Sequence, residues 1–315
     1  MVEENKINKM VEAAKMYYLL DNSQQDIALK LGVSRPTVSR LLQQAKEEGI
    51  VKIEIIDPEE SIQQLEAALC AKYHLKHALV APNASWDEQI IKVRIGKRAA
   101  QFLNDTVKEY DILAVTWGTT MYQIARGLQP KPLKGVKVVQ LKGGVSHSET
   151  NTYASEVLHL FGQAFQTTPH YLPLPAIVDS ALVKQTIEAD RYIHRQLELA
   201  EQANFAIFTT GGLMSDALLF RLGYLSKEDV RIVTKKAVGD ICSRFFDRNG
   251  DIVHQELNDR TIGIQLDELR KKEYSILVAG GKTKLESMKA TMNGKYSNVL
   301  VTDQLTAKEL LNSSL

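Results

Sequence analysis

The sequence predicts an α/β protein in two parts, a winged helix-turn-helix over residues 1–56 and a parallel-sheet unit over residues 57–315. Three observations carry this. Residues 23–49 read as helix, glycine turn and helix, each helix opened by a serine cap. A strand pattern follows at Ile50–Ile56, and Asp57-Pro58-Glu59-Glu60 breaks it. Beyond the break, short apolar runs alternate with helical patterns, the rhythm of parallel strands joined by helical crossovers.

Each element has its local reason. Lys6 to Leu20 places Ile7, Met10, Val11, Ala14, Tyr17 and Tyr18 at three- and four-residue spacings, an amphipathic helix whose tyrosine pair reads as core. Asp21-Asn22-Ser23 interrupts it. Ser23 with Asp26 three residues on resembles a capping box and opens a short helix that turns Ile27, Ala28 and Leu31 inward before Gly32 ends it. Ser34 caps the next helix, Pro36 sits in its first turn where a missing N–H costs little, and the helix runs to Glu48 before Gly49 stops it. The strand Ile50–Ile56 alternates Ile/Val with Lys52 and Glu54, as a half-solvated ribbon would. A helix from Ser61 to Lys72 carries Ile62, Leu65 and Leu69. The strand candidates are Ala78–Ala81, Ile112–Thr116, Val136–Leu141, Ala206–Thr209, Ile276–Ala279 and Val299–Thr302. Four of them run into small or polar residues, TWGTT, KGGVSH, TTGGL and GGKTK, and ligands of open parallel sheets bind at such strand ends.

Composition narrows the function classes. Lys+Arg 39 against Asp+Glu 38 leaves a net charge of +1, which excludes an all-over basic coat but not a local basic patch. The two cysteines, Cys70 and Cys242, lie far apart, which argues against a disulfide framework or a zinc cluster, and no metal or cofactor is expected. The first twenty residues lack a signal-peptide apolar core and no stretch approaches the ~18 apolar residues of a membrane span, so a reducing cytoplasm and no membrane partner are expected.

In a helix-turn-helix the second helix enters the major groove. Its outward positions here hold Arg35, Pro36, Thr37, Ser39 and Arg40, with Gln43 and Gln44 one turn later. Arg pairs bidentately with guanine, Gln with adenine, and Ser/Thr hydroxyls reach phosphates or base edges. From Ser34 to Lys46 there are three bases and no acid, and Lys52 on the wing would lie near a flanking phosphate. The competing reading is a capped helical hairpin with solvated Arg and Gln. The double capping, turn glycine, non-acidic face and trailing strand together favour double-stranded DNA.

The run GVSRPTVSRLLQQAKEEGIV and the stretches WGTTMYQIA, VVQLKGGVSH, LPLPAIVDS, GDICSRFFD, NDRTIGI and ILVAGGKTK resemble the SorC family of bacterial sugar-responsive transcriptional regulators, and within it the deoxyribonucleoside-regulator (DeoR) type of Gram-positive bacilli. The resemblance covers nearly the whole chain. It implies a winged helix-turn-helix, a Rossmann-like phosphosugar-binding domain, homo-oligomers (dimer or tetramer), and repression of a catabolic operon relieved by a phosphosugar.

The resemblance also places site residues. Gly118-Thr119-Thr120 ends a strand and starts a helix, where free N–H groups and the helix dipole suit an anion; a bare N-cap is the alternative, and the family's phosphosugar contacts fall on this GTT. Lys142 follows a strand and precedes Gly143 and Gly144. A neutral lysine amine there can capture the aldehyde of open-chain deoxyribose 5-phosphate as a Schiff base; a plain ion pair is the alternative. Asp240 matches the family's sugar-facing acid, and its alternative is a solvated loop acid. Lys284 matches a ligand-reaching lysine, or is a surface lysine at a helix start. Asn151 is a weaker polar candidate, and His147 reads as a spectator. An enzyme, a phosphosugar isomerase, deaminase or aldolase using Lys142, is the rival class. It lacks a paired Glu/His or Asp/His motif in the KGG or GTT loops. A third reading, a nucleotide-cofactor binding domain, is weaker still, since no strand is followed by G-x-G-x-x-G. The expectation is a regulator and no enzyme.

Overall fold

A computed structural model of the chain describes residues 2–18, 20, 22–51, 58–144, 152–212, 220 and 223–312. The chain divides into two compact units, Met1–Asp57 and Pro58–Leu315.

The first unit contains α1 (Val2–Tyr18), α2 (Gln24–Leu31) and α3 (Arg35–Glu47). The expected capping box is present: Asp26 N–H donates to Ser23 Oγ at 3.2 Å and Ser23 N–H to Asp26 Oδ2 at 3.3 Å. Gly32 ends α2 in the left-handed region, φ 63°, and Ser34 caps α3 with Pro36 in its first turn. Met10, Ala13, Ala14, Ile27, Ala28, Val38, Leu41, Leu42 and Ala45 form the shared core, with Leu31 and Val33 half-buried against it. Two expectations fail on α1, where Ile7 is 49% exposed and Tyr17 also faces solvent. The face of α1 that α2 and α3 cover is Met10, Ala13 and Ala14; Ile7 lies outside it, and Tyr17 packs edge-on against Tyr18 beside it. The expected strand Ile50–Ile56 lies mostly outside the described residues, Lys52 included; Ile50 and Val51 are not in a strand.

In the second unit, α4 (Pro58–Tyr73) precedes β1 (His77–Ala81), α5 (Glu88–Thr106), β2 (Ile112–Val115), α6 (Thr119–Gly127), β3 (Lys137–Gln140) and α7 (Ala154–Phe165). Then come α8 (Ala181–Glu188), α9 (Arg191–Gln202), β4 (Phe205–Phe208), β5 (Gly211–Gly212), α10 (Lys227–Lys236), β6 (Gly239–Ile241) and β7 (Arg244–Phe246). The chain closes with α11 (Gln255–Asp259), α12 (Leu266–Leu269), β8 (Tyr274–Val278), α13 (Leu285–Asn293), β9 (Val299–Asp303) and α14 (Gln304–Asn312). All six expected strands form one parallel sheet in the order β1-β9-β8-β4-β2-β3.

Alternation along each strand divides the core between the two faces of this sheet. Ala78, Val80, Ala114, Val139, Ala206, Phe208, Leu277 and Leu300 pack with α4, α9, α13 and α14. Leu79, Ala81, Leu113, Val115, Val138, Phe205, Ile207 and Val301 pack with α5, α6 and α7. Helices on both faces are what a parallel sheet needs to exclude water. No helix of the described residues is long and apolar enough to cross a membrane.

A second sheet, antiparallel β5-β6-β7, was not expected. Its strands are two or three residues long, too short for a period, and the β6–β7 turn is Cys242-Ser243, both left-handed with φ 54° and 66°. Such two-residue hairpins ordinarily signal themselves by Asn-Gly or Asp-Gly.

Candidate functional site

On α3, Val38, Leu41, Leu42 and Ala45 face the core, which leaves Arg35, Pro36, Ser39, Arg40 and Gln43 exposed and Thr37 and Gln44 half-exposed. The first turn of α3 holds no acid. Gln43 Nε2 donates to Glu47 Oε1 at 3.1 Å, and Thr37 Oγ1 shares a hydrogen bond with the cap Ser34 Oγ at 2.8 Å. Both partners are local and exposed, so either side chain can exchange them for a base edge or phosphate.

The second candidate lies at the carboxyl ends of β2, β3, β4 and β8. After β2, Trp117 is buried and its indole donates to Gly143 O at 2.9 Å. Gly118, φ 124°, then opens α6 with no side-chain cap, so the first-turn N–H groups are left for another acceptor. Thr119 is exposed and Thr120 buried.

After β3, Lys142 is 8% exposed and its Nζ lies 3.9 Å from the centroid of the Trp117 ring. Its backbone is clamped. Lys142 bridges Gly263, Gly143 N–H donates to Ile262 O at 3.3 Å, Ile264 N–H to Leu141 O at 3.1 Å, and Gln140 Nε2 to Lys142 O at 2.7 Å. Gly263, φ 123°, comes so close that a Cβ would meet Lys142 Cα at 2.7 Å. A Cβ on Gly143 would meet Pro175 O at 2.4 Å. Beside this strand end is a cavity of about 350 Å³ lined by Gln140, Gly144, Thr152, Tyr171 and Leu172 among others. Asn151 and His147 lie outside the described residues.

Asp240 sits on β6 rather than in a solvated loop. Its Oδ2 accepts from Ser243 N–H at 3.0 Å, and its Oδ1 occupies the space where a Cβ on Gly211 would stand. Burial pushes its carboxyl above the usual carboxylate range, opposed by the positive charges of Lys142 and Lys284. The charges of both lysines therefore reach the acid.

Lys284 ends a single 3₁₀ turn, Lys282–Lys284, at the head of α13. Its Nζ donates to Thr209 Oγ1 at 3.2 Å, and burial, followed by the charge of Lys92, holds its amine down to about 8 against the pull of Asp240 and Glu88. The turn is anchored from the opposite side: Gly281 N–H donates to Thr306 Oγ1 at 2.8 Å, and Thr306 Oγ1 donates to the buried Asp303. The structure thus brings Lys142, Asp240 and Lys284 into one electrostatic group, with the GTT turn joined to them through Trp117.

Sequence reasoning missed Trp117 and Thr209, although an aromatic between a strand and a glycine-opened helix is a readable signal. Among the described residues no group of three or more His, Cys, Asp or Glu could hold a metal ion.

The Sugar-bind family profile, a sugar-binding domain, matches residues 57–312, and the Crp-like helix-turn-helix domain profile matches residues 10–60. The chain is 52% identical over 311 residues to the deoxyribonucleoside regulator of Bacillus subtilis (strain 168), covering 99% of both chains. It is 30% identical over 316 residues to the sorbitol operon regulator of Klebsiella pneumoniae, covering 99% of this chain and 100% of the relative. The crystal structure of full-length SorC from K. pneumoniae superposes with a TM-score of 0.74 at 28% identity, covering 98% of this chain and 100% of that one.

Proposed function

The chain belongs to the SorC family of sugar-binding transcriptional regulators, and from that premise we propose that it represses a deoxyribonucleoside or sugar catabolic operon and leaves its operator when deoxyribose 5-phosphate is captured at Lys142. It is a DNA-binding transcriptional regulator controlled by a sugar or phosphosugar, and its relatives are regulators, not enzymes. In the proposed division, residues 1–56 read DNA through Arg35, Pro36, Thr37, Ser39, Arg40, Gln43, Gln44 and Lys52. Residues 57–315 bind the effector and assemble the cytoplasmic dimer or tetramer.

One observation carries the effector reading: a buried lysine, Lys142, stands at a strand end with a half-buried acid and a second lysine in its field. The uncapped N–H groups of Gly118-Thr119-Thr120 suit the phosphate, Asp240 suits a sugar hydroxyl, and Lys284 reaches the ligand beside Thr209. Asn151 remains a polar candidate. In the covalent step the neutral Lys142 amine attacks C1 of the open-chain sugar, a proton passes from nitrogen to the carbonyl oxygen, and water leaves to give the imine. The step is reversible by hydrolysis. The deoxyribonucleoside regulator at 52% identity supports deoxyribose 5-phosphate among pentose phosphates.

The test is a gel shift with the chain's own promoter region, in which deoxyribose 5-phosphate should weaken the complex; an unchanged shift removes the effector. Borohydride should trap the ligand mass at Lys142, and Lys142→Arg should abolish that adduct. A second reading has one observation in its favour: Lys284, held near 8, carries more neutral amine at neutral pH than an ordinary lysine. A trapped mass mapped to Lys284 would reassign the imine.

A further inference from the structure

We propose that Arg244 is a positioning residue of the effector site, which holds Lys142 and Asp240 in register without touching a ligand. This rests on the effector reading above.

Arg244 is 1% exposed and opens β7. All of its N–H groups are used. Nε donates to Ile264 O at 2.7 Å, Nη1 to Asn258 O at 2.9 Å and Asn258 Oδ1 at 2.6 Å, and Nη2 to Thr261 O at 3.1 Å and Gly263 O at 3.0 Å. No carboxylate is among these acceptors, so the guanidinium is stabilised by carbonyl dipoles, and burial pushes it down to about 10. An apolar side chain of similar volume packs such a place at less desolvation cost. What the cation supplies is five fixed directions on one segment, 258–264.

That segment is the clamp on Lys142. Gly263 bridges Lys142, Ile262 O accepts from Gly143, Ile264 donates to Leu141, and Ile262 N–H donates to Ala176 O at 2.9 Å. With Gly263 already in closest backbone contact, a displacement of the segment passes to Lys142 with no slack to absorb it. On its other side Arg244 pairs with Ile241 across the tight β6–β7 turn, and Ser243 N–H in that turn donates to Asp240 Oδ2. One side chain therefore spans from the hairpin that carries the acid to the segment that clamps the lysine.

The variants are Arg244→Lys, which keeps the charge and loses the fork, and Asn258→Ala, a milder change that removes a single acceptor and serves if the first does not fold. Two readouts are made on the full-length protein. In hydrogen exchange without ligand, the amide of Gly143, which donates to Ile262 O and which Arg244 does not touch, should exchange at least tenfold faster. In operator release, the concentration of deoxyribose 5-phosphate that frees half the DNA should rise at least tenfold for Arg244→Lys and about threefold for Asn258→Ala, with operator affinity in its absence within twofold. A folded variant with unchanged exchange at Gly143 overturns the proposal, and so does one that melts lower yet releases at the parental concentration. If the parent itself does not respond to deoxyribose 5-phosphate, the effector reading fails, and the exchange result alone decides the role of Arg244.

Discussion

Replacing Gly263 by alanine should destabilise the sugar-binding unit far more than the same change at Gly118. Both glycines have nearly the same backbone, φ 123° and 124°, a region L-residues rarely adopt. Each substitution therefore carries about 1–3 kcal/mol of backbone strain. At Gly118 nothing lies within 4 Å of the new Cβ, so strain is the whole cost. At Gly263 the Cβ would meet Lys142 Cα at 2.7 Å, Leu141 O at 2.8 Å and Lys142 Cβ at 3.0 Å, none of them the end of a flexible side chain. Overpacking of that kind adds about 1–3 kcal/mol, for a total of about 2–6 kcal/mol. The chain's two tryptophans, Trp86 and Trp117, both lie in this unit, so urea unfolding followed by their fluorescence reads it selectively. If Gly263→Ala falls within roughly 0.5 kcal/mol of Gly118→Ala, the close approach of the segment to Lys142 is wrong.

Three further outcomes are expected. Arg35→Ala and Arg40→Ala should each weaken operator binding about 5- to 150-fold, the range for losing a bidentate base contact, while thermal melting stays unchanged; equal affinity in titrations at fixed salt would remove α3 as the reading helix. Lys284 has a lowered amine, so the unfolded chain binds its proton more tightly and the penalty for burying its charge is present below pH 8 and fades as pH rises toward 10.5. The stability gained by Lys284→Met at pH 7 should therefore shrink by pH 9.5 in urea unfolding, and a gain that grows instead would contradict the burial of this amine. Asp229 is held below the usual carboxylate range: burial opposes its ionisation, but the Ser226 and Arg260 hydrogen bonds outweigh it. His254 Nε2 lies 3.0 Å from its Oδ1. Asp229→Asn should cost about 3 kcal/mol at pH 7, and the difference from the parent should vanish as pH falls through that lowered value, where the parent's carboxylate is protonated too.

Most of the fold was legible because the parallel strands are buried on both faces and so read as unbroken apolar runs such as Ala78–Ala81 and Ile276–Ala279. The helical caps were equally legible, since Ser23 with Asp26 and Ser34 with Pro36 have few other uses. The small antiparallel sheet was not. Its turn at Cys242-Ser243 adopts left-handed backbone without glycine, and its two- and three-residue strands depend on tertiary contact such as Gly239 against Ser287. At the site, Lys142, Lys284 and the GTT turn announced themselves as polar residues at strand ends, but their electrostatic grouping around Asp240 comes from sheet order, which no local pattern encodes. Arg244 was invisible for a related reason: an arginine before two phenylalanines reads as a solvated edge residue, and only the fold wraps five oxygens around it.

The order of the strands also sets a timetable for synthesis. β1 lies at the edge of the sheet and its one strand neighbour among the described residues is β9, about 220 residues later in the chain. At roughly 5–20 residues per second, β1 leaves the ribosome about 10–45 s before its partner exists. The N-terminal core, by contrast, is built from Met10 to Ala45 with Val51 packed against it, all of it synthesised before β1. Each nascent copy therefore passes through a period with a finished helical head and an unfinished sheet, its first strand open to pairing with whatever chain is nearest.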